Sequence, residues 1–242
     1  MIDRIRSVLA PAGTLRCAIN LGNPVLAYRD PASGEPAGVA VDLSRRLSSQ
    51  LGVEARLVTA ETAAQSVEAV RSGQADVGFF AVDPARGEVI RFTPPYLLIE
   101  GGYLVRVESP LRDNSEVDRA GRTVVVGTGS AYDLHLSRHL KAAAILRAPS
   151  SPLVVQTFLA RGADVAAGVK PQLQIEADKV GGLRLLPGHF MVIEQAMGLS
   201  AGRPREGGDF LTTFIELAKA DGSIEESLDR HGIRGAVIAP TN

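Results

Sequence analysis

Arginine is the residue best suited to grip a small anion, because its planar guanidinium meets a carboxylate with two parallel hydrogen bonds. Arg86 follows the strand-like run Ala75–Ala81 by a short turn, and in open α/β sheets ligands bind beyond the carboxyl ends of strands. Ser130 is the second candidate. The strand-like run 122–126 leads into Gly127-Thr128-Gly129-Ser130 and then into a helical stretch, whose first amides can hold a carboxylate or phosphate. The two glycines begin a dinucleotide fingerprint, but Tyr132 stands at the third glycine position. What remains is a glycine turn with a serine placed as an N-cap.

Other chemistries fare less well. Gly198-Leu199-Ser200-Ala201-Gly202 matches the nucleophile elbow of serine hydrolases, with Asp229 and His231 following in order. An elbow needs a strand, a sharp turn and a buried helix, whereas Arg203-Pro204-Arg205 follows here. His135 and His139 have the i, i+4 spacing that binds metals on helices, yet no third ligand is adjacent, and a solvated face is the simpler reading. Cys17 lies inside a strand pattern and reads as a small core residue. With one cysteine there is no internal disulfide, and no motif calls for a metal or a cofactor.

The elements that must position these residues alternate. Strands are expected at 15–20, 53–58, 75–81, 122–126, 144–148 and 164–167, and helices at 39–51, 64–71, 131–141 and 152–160. Such alternation gives right-handed crossovers and mostly parallel sheets. The plan repeats: Gly73-Gln74-Ala75-Asp76-Val77 and Gly162-Ala163-Asp164-Val165 each follow a helix and enter a strand, with Asp76 and Asp164 separated by 88 residues. Two apolar segments, 96–107 and 190–199, read as crossings between two βα lobes, and helices at 210–220 and 223–231 close the chain. Lobe one is expected to comprise residues 1–103 plus 199–242, and lobe two residues 104–198.

The chain has 242 residues, with 26 basic and 27 acidic side chains and 45% hydrophobic content. A formal net charge of −1 gives no general attraction to nucleic acid or to anionic membranes. No apolar run approaches the roughly 18 residues that span a bilayer. The opening residues carry Asp3, Arg4 and Arg6 without a sustained apolar segment, so they do not read as a signal peptide. Either the protein is cytosolic or the numbering starts after a removed leader.

Several segments together resemble the family 3 extracellular solute-binding proteins, the amino-acid receptors of ABC importers. They are Gly13-Thr14-Leu15-Arg16-Cys17-Ala18-Ile19, then Gly38-Val39-Ala40-Val41-Asp42-Leu43 with Leu51-Gly52-Val53. The most specific is Gly73 to Tyr96: a Gly-x-x-Asp strand, Arg86, then Phe92-Thr93-Pro94-Pro95-Tyr96. Val124-Val125-Val126 through Gly129-Ser130-Ala131-Tyr132 matches the second lobe, so the likeness spans residues 13 to 235. The resemblance implies a type 2 periplasmic binding fold, with two α/β lobes of mostly parallel sheet flanked by helices and joined by a two-stranded hinge. It implies that Arg86 binds the ligand's carboxylate, and that Ser130 and nearby amides, Ala131 among them, bind the same group from the other lobe. One anion then touches both lobes only when they close.

The sequence also departs from the family's pattern. Where amino-acid receptors hold the α-ammonium with an Asp, this chain has Val169 followed by Lys170; the first-strand Asp is Asn20, the stacking aromatic is Ala63, and the Ser/Thr pair before the Arg is Phe79 and Ala81. Either Glu100 or Glu194, on the hinge strands, supplies the missing charge, or the ligand is a carboxylate without an amine whose second group lies near Lys170. The expected function is capture of a small carboxylate-bearing solute, an amino acid or related organic acid, for an ABC permease. The alternatives are a cyclohexadienyl-dehydratase-like enzyme on the same fold and a ligand-sensing module. The resemblance further implies a monomer without cofactor, outside the cytoplasm and at most peripheral to the membrane.

Overall fold

The computed structural model describes residues 2–241. In chain order it opens with α1 (Ile2–Leu9), β1 (Thr14–Asn20), β2 (Tyr28–Arg29), β3 (Pro36–Ala37), α2 (Val39–Leu51), β4 (Glu54–Ala60), α3 (Ala63–Arg71), β5 (Val77–Ala81), α4 (Pro84–Gly87) and the long β6 (Ile90–Arg106). Next come β7 (Thr123–Gly127), α5 (Ala131–His139), β8 (Ala144–Ala148), α6 (Val154–Arg161), β9 (Val165–Val169), α7 (Lys170–Val180), β10 (Leu183–Leu185) and β11 (Met191–Ser200). The chain ends with α8 (Arg205–Ala220), α9 (Ser223–Arg230) and β12 (Ala236–Ile238).

The chain divides into two compact units. One contains the residues up to Leu98 and those from Glu194 onward; the other is Ile99–Ile193. The divisions fall within β6 and β11, the strands that also contain the expected breaks at 103/104 and 198/199. Within the first unit the strand order is β4-β1-β5-β11, and within the second it is β6-β9-β7-β8.

In the first unit β1 runs parallel to β4 and to β5, and β11 returns antiparallel along β5 with Gln195 opposite Ala81. β5 is buried along its whole length, as a central strand covered on both faces must be. Leu43, Leu47 and Leu51 form the buried stripe of α2, and Gly52 ends that helix with φ of 65°, a left-handed conformation that costs glycine little. Thr62 and Gln65 form a reciprocal capping box at the start of α3. Ala18, Ala69, Val70, Ala75, Phe80 and Ile90 form a core cluster between strands and helix.

In the second unit β7 lies between β8 and β9, parallel to both. The far half of β6 is antiparallel to β9, with Gly101 opposite Val169, and β10 adds to its other side. Gly127 ends β7 where Ser151 passes so close that a Cβ would lie 2.8 Å from its backbone. This close approach and the left-handed φ of 67° at Gly129 account for both glycines of the turn.

The repeated Ala-Asp-Val motif does the same work in each unit. Asp76 accepts the amide of Arg16 at 3.0 Å and returns its own amide to the Arg16 carbonyl at 2.8 Å. Asp164 accepts the amide of Thr123 at 2.8 Å and returns its amide to the Thr123 carbonyl at 3.2 Å. Each carboxylate also meets a guanidinium, Arg16 in one case and Arg122 in the other. The aspartates therefore staple β1 to β5 and β7 to β9.

Candidate functional site

The first unit places Arg86 on α4, a single turn just beyond the carboxyl end of β5. Asp83 caps that turn by accepting the Ala85 amide at 2.9 Å, and Pro84 presets its first backbone angle. Arg86 is 6% exposed, and its guanidinium donates to the Ala81 carbonyl at 3.0 Å. Burial lowers its pKa to about 10, against the opposing pull of the Asp83 carboxylate, so it stays charged at neutral pH. Phe79 and Ala81 are buried on the same strand, and the Phe79 ring meets Tyr96 edge to face at 6.2 Å. Asn20, half-buried at the end of β1, turns its side-chain oxygen back to the Gly22 amide at 2.9 Å. Glu194 is exposed on β11, and Ala63 forms the first residue of α3.

The second unit places Ser130 as the N-cap of α5, accepting the Asp133 amide at 3.0 Å. Buried Asp133 reaches back to the Gly129 amide at 2.9 Å and is held by Arg147 at 3.1 Å. The amides of Ala131 and Tyr132 belong to the first helical turn, which offers them no acceptor within the helix. Parallel pairing of Val124 with Val165 and Val125 with Ala166 carries the ends of β7 and β9 to one edge of the sheet. The start of α5 and the start of α7, with Val169 and Lys170, therefore share that edge. Val169 is the N-cap of α7 and supplies no side-chain cap.

Lys170 and Glu100, alternatives in the sequence reading, are partners in the structure. The ammonium meets Glu100 Oε2 at 2.7 Å, and His189 Nδ1 faces Oε1 at 3.0 Å. The Lys170 ammonium holds Glu100 below the usual carboxylate range, with a smaller contribution from His189. Sequence reasoning missed His189, which sits between Gly188 and Phe190 without any motif spacing to mark it.

The remaining motifs lead elsewhere. His231 bridges the Tyr28 hydroxyl and Asp42, each at 3.0 Å, while Asp229 pairs with Arg234, so the structure does not gather Ser200, Asp229 and His231 into a triad. The His135 and His139 rings stack 4.0 Å apart, and among the described residues no group of three potential ligands could hold a metal ion. Cys17 is fully buried.

The sequence pattern of the bacterial extracellular solute-binding proteins, family 3, matches residues 15–232. The chain belongs to that family. Among solved structures, the solute receptor for L-cysteine of Neisseria gonorrhoeae superposes with a TM-score of 0.82 at 20% identity, covering 97% of this chain and 94% of its own. A mutant of ArgBP from T. maritima gives 0.79 at 19% identity, covering 96% and 98%. An ancestral amino-acid-binding protein described as a precursor of cyclohexadienyl dehydratase gives 0.77 at 18% identity, covering 95% and 97%. These likenesses establish the two-lobed type 2 periplasmic binding fold. No curated protein matches the chain by sequence.

Proposed function

We propose that the protein captures a small carboxylate-bearing solute and delivers it to an ABC permease outside the cytoplasm. The observation that carries this reading is the buried Arg86 guanidinium beyond the carboxyl end of β5, charged and held in place by a backbone carbonyl. A guanidinium withdrawn from water binds an oxyanion more strongly than an exposed one, because competing hydration is already lost. In the second unit the start of α5, with Ser130 and the first-turn amides, is by itself a donor set suited to an oxyanion. Family membership supports transport as the role, and among the described residues no helix is long and apolar enough to cross a membrane.

A thermal-shift screen of amino acids, 2-oxo acids and aromatic carboxylates tests this. A ligand at about a hundred times its Kd adds roughly 2.7 kcal/mol to stability. Absence of any shift from the carboxylates would sink the reading. The cluster of Glu100, Lys170 and His189 also supports a second reading, since an elimination needs a positioned acid. Turnover of prephenate or arogenate by the purified protein would replace the receptor with an enzyme.

A further inference from the structure

The edge shared by α5 and α7 has its acids already engaged. Asp133 is bonded to the Gly129 amide and to Arg147. Glu100 has Lys170 on one oxygen and His189 on the other. The Lys170 stem lies along Gly102, where a Cβ would sit 3.4 Å from its Cγ, and this directs the ammonium toward Glu100 on the same face of β6. A ligand ammonium seeking Glu100 would have to displace Lys170 or share one carboxylate with it, and like charges at such range repel. Lys170, by contrast, has donors to spare. Its ammonium carries three N–H groups and gives one to Glu100, and the side chain is 33% exposed.

We infer that the ligand's second recognised group is an oxygen acceptor, as in a 2-oxo or 2-hydroxy acid, and that Lys170 selects it over the α-ammonium of an amino acid. This rests on the carboxylate reading above. Glu100 then orients Lys170 and balances its charge, and Val169 leaves the neighbouring position without a counter-ion for an amine.

Calorimetry on the full chain with matched skeletons tests the inference: pyruvate, lactate and alanine; 2-oxoglutarate, 2-hydroxyglutarate and glutamate; phenylpyruvate, phenyllactate and phenylalanine. In the skeleton that binds best, the oxo or hydroxy acid should exceed the amino acid at least tenfold. Lys170→Met should erase that preference and weaken the acid at least tenfold, while Lys170→Arg retains part of it. Glu100→Gln keeps an acceptor for the Lys170 ammonium but removes the competing negative charge, and should tighten acid binding. Tighter binding of the amino acid, lost in Glu100→Gln, would overturn the inference and leave the carboxylate receptor standing. Silence from every probe with folded protein would overturn both.

Discussion

Arg86 meets two demands at once. Its position past a strand end suits a ligand clamp, and its burial makes it part of the packing around Ala81 and Asp83. Arg86→Ala should therefore cost binding about 3–5 kcal/mol, because a desolvated ligand carboxylate loses its partner. It should also lower the melting temperature, since the Ala81 carbonyl loses a donor. Arg86→Lys restores the charge without the two-pronged geometry and should recover only part of the affinity. Ser130→Ala should cost about 1 kcal/mol, for the helix-start amides remain when the cap is removed. Titration of the three folded variants, with melting temperature alongside, checks this. Full affinity in Arg86→Ala would remove the clamp. The places of Arg86 and Ser130 in the fold were legible because each follows a strand by a short turn. The union of Glu100, Lys170 and His189 was not, because it depends on the register that sets Gly101 opposite Val169, and register is a tertiary property.

At the scale of elements, the strand and helix plan was readable wherever burial is periodic. α2 runs over the expected 39–51, with its leucines four apart. α1 and α7 were not anticipated. α1 buries only Ile5 and Leu9, and α7 only Leu173 and Ala177, so neither shows more than one repeat of the helical period. Pro171 also reads as a breaker, although the first turn of a helix accepts proline. The repeated aspartates give a sharper test of structural duplication. Asp76 is wholly buried between Arg16 and Arg203, whereas Asp164 is part-exposed beside Arg122 at 3.3 Å. Asp76→Asn leaves two guanidinium groups facing a neutral amide and should cost about 3 kcal/mol. Asp164→Asn keeps an acceptor in a wetter place and should cost about 1 kcal/mol. Urea midpoints at unchanged m-value measure the pair. Equal losses would mean that the buried pairing at Asp76 adds nothing beyond its backbone hydrogen bonds.

For the whole molecule, Cys17 offers a reporter of opening that the sequence itself provides. It is the free cysteine of β1, opposite Leu57 and Val77 on the strands either side, and it is fully buried. Burial pushes its thiol up to about 12, so at mildly alkaline pH the native side chain is both protonated and shielded. A thiol reagent can reach it only after β1 separates from its neighbours. When reclosing is faster than labelling, the rate follows the open population and hence the stability of the first unit. A carboxylate held by Arg86 binds the closed form of that unit and not the opened one. At about a hundred times Kd it should slow labelling roughly a hundredfold, the kinetic counterpart of about 2.7 kcal/mol. Arg86→Ala should abolish that protection at the same ligand concentration, while the unliganded rate rises only as far as its lower stability requires. Labelling that stays fast when a bound ligand has raised the melting temperature would show that β1 opens locally, independently of the site.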